Sequence, residues 1–279
     1  MTTSLQANKF LCDIPEYWQT ENKPTTLEDL IALVPRKAGI WMIKQINNDT
    51  GEVELLQVCE NTLTDNGALS LWKNCINATS AGIAVANIIA IDQSLGYTTT
   101  TANIAAGGTV TSITVGSLTG PTIANGSTIL VGAGTGNTLT LTLTQAITGA
   151  GTYTVSSATG PASQINSGAN VRVIPATTDA SSLSAPVSYT AALPAGQFTI
   201  SGSGSGNRSM QVTNSGNYLF STTSNSNPST ATAANYTAAW IVNANPVAST
   251  GNTFVHVAFD APVSVSSSSS GQITIIEKI

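Results

Sequence analysis

Asn137-Thr138-Leu139-Thr140-Leu141-Thr142-Leu143-Thr144 sets leucine and threonine in strict alternation. Successive side chains of a β-strand point to opposite faces, so the leucines share one side and the threonines the other. That is a strand buried on one face and wet on the other. The flanking sequence repeats the theme. TVTSITVGS (109–117), STILVG (127–132), TYTVSS (152–157) and VRVIP (171–175) are short β-branched runs bounded by Gly, Pro or Asn. Together they predict a small β module over residues 107–175.

The module lies in a wider stretch of unusual chemistry. From Gln93 through Val171 the chain runs 79 residues without Asp, Glu, Lys or Arg. Catalytic and metal sites need titratable groups held close together, so this stretch argues against both. Over all 279 residues charged groups are 8%, hydrophobic groups 41% and the net charge −5, which places the chain on the folded side of the disorder divide. So little charge gives weak protection from self-association, and suits a chain embedded in an assembly. Nine basic residues and a pI near 4.7 offer no cationic track for phosphates, so nucleic acid is not an expected partner. AGIAVANIIAI (81–91) is too short to cross a bilayer, and no membrane partner or cofactor is expected. MTTSLQANKF lacks the apolar core of a secretion signal. Cys12, Cys59 and Cys75 form no C-x-x-C pair, so free thiols in a reducing cytoplasm are expected.

Charge divides the chain, with 17 of its 23 charged residues in positions 1–92. Residues 1–38 read as an arm with one short helix, opened by the capping pair Thr25 and Glu28, continued by Leu27, Leu30, Ile31 and Val34, and stopped by Pro35. GIWMIKQI (39–46) and EVELLQVC (52–59) flank Asn47–Gly51 and predict a hairpin. A second helix is predicted over 65–77, with Ala68, Leu71, Trp72, Cys75 and Ile76 as its apolar stripe, and IIAI (88–91) reads as a buried strand. VSYTAA, QFTIS, SMQVT, NYLFST, YTAAWIVN, TFVHVAFD and QITIIEKI supply a further strand set in residues 186–279. SGSGSGNRS (201–209), STTSNSNPSTATAAN (221–235) and SVSSSSSG (264–271) read as low-complexity loops. The expected fold is mainly β. A discontinuous β-sandwich or jelly-roll domain (39–106 and 176–279) carries 107–175 as an inserted module.

Each motif with a chemical reading also has a plainer one. Gly132-Ala133-Gly134-Thr135-Gly136 resembles a phosphate cradle, but a strand rather than a helix follows, so a hairpin turn is expected. His256 and Asp260 share a strand face without the rest of a hydrolytic site, and read as a sheet histidine beside a strand-end carboxylate. Glu52 and Glu54 read as a solvated strand face rather than an acid–base pair, with Glu60 nearby. The sequons at Asn77, Asn125 and Asn235 read as chance matches in a Thr- and Asn-rich chain.

The order from Gly39 to Ile91 is a hairpin, then Glu60-Asn61-Thr62-Leu63-Thr64-Asp65-Asn66-Gly67-Ala68, a helix, and the strand NIIAI. It resembles the N-L-(I/V)-T-(N/D)-x-G-L opening of a family of tailed-bacteriophage virion proteins found among decoration, tail and fibre components. AAWIVNANPVASTGNTFVHVAFDAPVSVSSSSSGQITIIEKI resembles that family's closing block, and the inserted region resembles β modules of phage structural proteins. Ala68 stands where the family usually has Leu. The resemblance implies a structural role with no catalytic residues, in a virion assembled in the host cytoplasm. Its implied partners are the major capsid protein or tail proteins, and further copies of the chain, as a trimer. The aromatic, Pro-containing arm favours a capsid decoration (cement) protein. The alternative is a tail, baseplate or fibre component, with host-glycan binding as a further option. The expected assembly contacts are Tyr17, Trp18, Leu30 and Trp41.

Overall fold

Strand alternation governs nearly all of the regular structure. In the computed structural model of the chain, the described residues are 39–64, 67, 88–176, 183–190, 199–201, 209–211, 218–222, 231–242 and 253–277. Their regular elements are strands: β1 (Gly39–Asn47), β2 (Val53–Leu63), β3 (Ile88–Asp92), β4 (Tyr97–Thr99), β5 (Thr109–Val115), β6 (Thr128–Val131), β7 (Leu139–Thr142) and β8 (Gly151–Thr159). Then follow β9 (Asn170–Val173), β10 (Val187–Thr190), β11 (Thr199–Ser201), β12 (Ser209–Gln211), β13 (Tyr218–Phe220), β14 (Ala234–Val242), β15 (Thr253–Val265) and β16 (Ser269–Glu277). The helix predicted in the arm lies outside the described residues, and so does that predicted over 65–77 except for Gly67, which is helical.

Eight strands form one antiparallel sheet in the order β10-β3-β14-β15-β2-β1-β16-β13. Its edge strands β10 and β13 approach each other, so the sheet nearly closes into a barrel. The β1–β2 hairpin forms as predicted. Asn47 Oδ1 accepts the amides of Asp49 and Thr50 at 2.9 and 3.1 Å, and Gly51 takes φ +71° to complete the turn. Alternate residues point inward, and Trp41, Ile43, Phe220, Tyr236, Phe259 and Ile273 belong to one shared core. The cleft lined by Ile43, Ile91, Phe220, Phe259, Val263 and Ile273 has no room for a water molecule.

A second core belongs to the inserted region. β4, β9, β6 and β7 form a four-stranded sheet, and β5 pairs with β8. Between these layers lie Ile104, Val110, Ile113, Ile123, Leu141 and Val171 with their neighbours. The three leucines of 137–144 are buried and its threonines exposed, as their alternation requires. The four-stranded sheet begins with β4 at Tyr97, upstream of residue 107.

One predicted loop is mostly strand. In SVSSSSSG (264–271), β15 continues to Val265 and β16 starts at Ser269, which leaves only residues 266–268 as a turn. Val263 and Val265 point into the core, and the serine hydroxyls find local partners, with Ser269 Oγ donating to Ser264 O at 3.0 Å. Serine repetition concealed an ordinary hairpin.

Candidate functional site

The densest polar chemistry lies on the outer face of β3, β14 and β15. Ile89 and Ile91 point into the core, which turns Ala90 and Asp92 outward, and the register sets Trp240 between Ala90 and His256. The Trp240 and His256 rings stack with centroids 3.5 Å apart and planes 16° from parallel. Asp92 is fully buried at the end of β3. Its Oδ1 accepts Trp240 Nε1–H and Ser94 Oγ–H, both at 2.8 Å, and its Oδ2 accepts the Ser184 amide at 2.7 Å. Burial raises its pKa to about 6 despite those three donors. Burial acts oppositely on the His256 cation and lowers its pKa to about 3, so the ring is neutral at pH 7. His256 Nε2 is buried without a hydrogen-bond partner. Leu183 and Val187 pack against Ala90, Trp240 and Val242 over this face. The cluster holds a proton-sensitive carboxylate and imidazole in a closed apolar setting, a geometry that couples stability to pH.

A second polar group joins the two sheets. Arg172 on β9 donates from Nε to Asp260 Oδ1 on β15 at 2.7 Å, with both side chains only 10–12% exposed. Beside it, Tyr97 OH donates to Asn170 Oδ1 at 2.6 Å, and Asn170 Nδ2 donates to Ala133 O at 3.1 Å. Gly134, at φ +77°, lies so close that an added Cβ would sit 3.4 Å from the Asp260 Cβ. Behind the pair, burial and then the Asp260 charge push the Cys59 thiol far above its usual pKa. Cys59 is a free, buried and therefore unreactive thiol.

Tyr17, Trp18 and Leu30 lie outside the described residues. Trp41 is corrected: it is 0% exposed within the barrel core, so packing occupies it and it presents nothing to a partner. His256 and Asp260 do not act together. Four residues of strand separate them by about 13 Å, and one stacks on Trp240 while the other pairs with Arg172. Asp260 also lies within β15 rather than at its end. The glycine run at 132–136 is the β6–β7 hairpin turn, with Thr135 Oγ1 donating to Gly132 O at 2.6 Å. Glu52 and Glu54 are exposed, and Glu54 accepts from Gln45 and Asn47. Tyr97 and Tyr153 bond their hydroxyls to Asn170 and Gly149, and Tyr153 is 7% exposed, so neither ring is an open sugar platform.

Sequence reasoning passed over Asp92, Arg172 and Trp240. A signal was present, because Asp92 and Arg172 are the charges that bracket the uncharged stretch. A lone charge at the end of an apolar strand must find a partner or a set of donors. Among the described residues, no three potential metal ligands of His, Cys, Asp or Glu type converge, and no helix is long and apolar enough to cross a membrane. Compared with known proteins, the chain matches no family model, no curated protein and no solved structure.

Proposed function

We propose that the chain is a structural component of a tailed-phage virion, a capsid decoration protein that binds the shell and stabilises it. The observation that carries this reading is where the two resembling sequence blocks lie. The opening block supplies β1, β2 and β3 and the closing block β14, β15 and β16, and these form six consecutive strands, β3-β14-β15-β2-β1-β16. Two blocks distant in sequence thus build one continuous unit, as a shared virion-protein scaffold requires. The polar groups fit the same role. Asp92 is enclosed by three donors and Asp260 by Arg172, so each carboxylate serves the fold. The inserted module turns threonine and serine outward, and this neutral hydrogen-bonding surface suits broad contact with neighbouring subunits.

The deciding experiment locates the protein on purified virions with gold-labelled antibodies to the recombinant chain, and measures its copy number against the major capsid protein. A decoration protein labels the head and scales with the capsid protein. Label confined to the tail tip, at low copy number, replaces this reading with the tail, baseplate or fibre alternative. Absence from the virion ends both.

A further inference from the structure

The inserted region repeats itself. Thr-x-x-Ile-x-x-x-Gly-Thr-x-Thr occurs at Thr101–Thr111 and again at Thr144–Thr154. Thr-Gly-Pro follows each, at 119–121 and 159–161, and then Ile-x-x-Gly-x-x-(Ile/Val)-x-Val, at 123–131 and 165–173. The order of the blocks and the spacing inside each are kept, while the two gaps between blocks hold 7 and 1 residues in the first copy and 4 and 3 in the second.

The backbone obeys the same equivalence. Strands β4, β5 and β6 correspond to β7, β8 and β9, and every pairing maps onto a pairing. The β4–β9 ladder corresponds to β7–β6, while β5–β8 and β6–β9 map onto themselves. Isolated bridges join Ile104 to Ile165 and, equivalently, Ile147 to Ile123. Gly126 N–H bonds Leu143 O at 2.9 Å, and Gly168 N–H bonds Thr100 O at 2.7 Å. Gly132 N–H reaches Asn170 O at 2.8 Å, and Ile174 N–H reaches Thr128 O at 2.9 Å. Gly126 and Gly168 take φ +83° and +88° at matching turns. These contacts of one half are made again with the partners exchanged, which is the signature of a two-fold axis.

We infer that residues 97–173 are an internal duplication, two copies of one three-stranded unit packed as a pseudo-two-fold pair, and that one group of residues peculiar to a single side of the pair docks it onto the barrel. Many aligned positions differ between the copies, and three of the differing residues lie together beside the barrel. Tyr97, Asn170 and Arg172 stand where the other copy has Thr140, Thr128 and Leu130. All three carry or adjoin the contact with Asp260. Arg172 belongs to no requirement of the repeated unit, since its counterpart leucine holds the equivalent place on β6. It recognises a carboxylate of the main sheet.

Two full-length variants test this by amide hydrogen exchange and by residual dipolar couplings. The first gives residues 123–129 the sequence of 165–171, through A124N, N125S, S127A, T128N and I129V. Protection of the Ile104, Ile123, Ile147 and Ile165 amides should persist, and a control with the same residues in shuffled order should lose it. The second is Arg172→Leu, the residue its counterpart carries. Its module amides should stay protected, while module and barrel, expected to share one alignment in the unmodified protein, should align separately. Loss of protection in the graft, or its retention in the shuffled control, overturns the duplication. In Arg172→Leu, loss of module protection or an unchanged common alignment overturns the docking role.

Discussion

The barrel and the inserted module solve the same problem with different materials. The barrel encloses Trp41, Tyr218, Phe220, Tyr236 and Phe259 in one core, and tolerates buried polar groups such as Asp92 and His256 on its outer face. The module core is almost wholly Ile, Val and Leu with Tyr153 as its one aromatic, and its turns rest on left-handed glycines. Large aromatics fill a wide, nearly closed sheet, whereas two thin layers need only branched aliphatics. Stability in the barrel should therefore be concentrated in a few large side chains, and in the module spread over many small ones.

The largest expected effect tests that concentration. Trp41→Ala empties a site that is 0% exposed at the barrel centre and should cost about 3–5 kcal/mol, the residue's burial leaving no route for solvent to fill the gap. Tyr153→Ala, at the thinner module's margin, should cost clearly less. Chemical denaturation of both variants checks this, and equal losses would erase the distinction between the two cores.

Next in size is a pH effect confined to the barrel. Asp92 has a folded pKa of about 6 against 3.8 when free, so its contribution is complete at low pH and is lost as pH rises through 6. His256 has a folded pKa of about 3 against 6.5, so its contribution is complete above 6.5 and is lost as pH falls through 3. Between about pH 4 and 6 the two slopes oppose each other, each leg being on the order of 3 kcal/mol. The native protein should show little change from this pair over that window. Asp92→Asn should leave stability that rises with pH, and His256→Phe, which keeps a ring against Trp240, stability that falls. Urea midpoints at half-unit pH steps measure the slopes. Identical profiles in the two variants would show that these groups are not the ones titrating.

The module's own vulnerability lies in a turn. Gly132 has φ +80°, and an added Cβ would clash with the Asn137 carbonyl oxygen. Gly132→Ala should cost about 1–3 kcal/mol, detectable as faster exchange of the β6 and β7 amides while those of β14 stay unchanged. Faster exchange throughout the barrel would instead mean that the two regions unfold together.

What could be read from the chain alone followed the same division. Strands in the module have one wet face, so Leu139, Leu141 and Leu143 announced both the strand and its buried side. The hairpin turn at Asn47–Gly51 was equally local. β14 is buried on both faces from Tyr236 to Val242, which removes alternation as a guide to which side faces the core. Its pairing with β3, and that of β15 with β2, depends on contacts across more than 140 positions that no local pattern encodes. The aromatic bulk of Trp41 reads alike in a core and at an interface, and only its place in the sheet interior decides between them. Asp92 and Arg172 were missed because their partners, Trp240 and Asp260, are remote in sequence.

The smallest expected effect concerns the hydroxyls that cover the module. Thr144 Oγ1 donates to Thr154 Oγ1 at 2.8 Å, and the Thr114 and Thr152 hydroxyls lie 3.0 Å apart, all at exposed or half-exposed positions. Water can replace either partner there, so the net worth of such a bond is small. Valine keeps the β-branch and the strand preference of threonine, and Thr154→Val should shift stability by no more than about 0.5 kcal/mol. The double variant Thr144→Val/Thr154→Val should show coupling of similarly small size, measured by a denaturation cycle. A coupling above about 1 kcal/mol would mean that the outer hydroxyls support the module's fold. Near-zero coupling leaves them free to serve what the surface touches. On the proposed virion role, weaker particle binding by the same variants would then report on a surface contact, because the fold beneath it is intact.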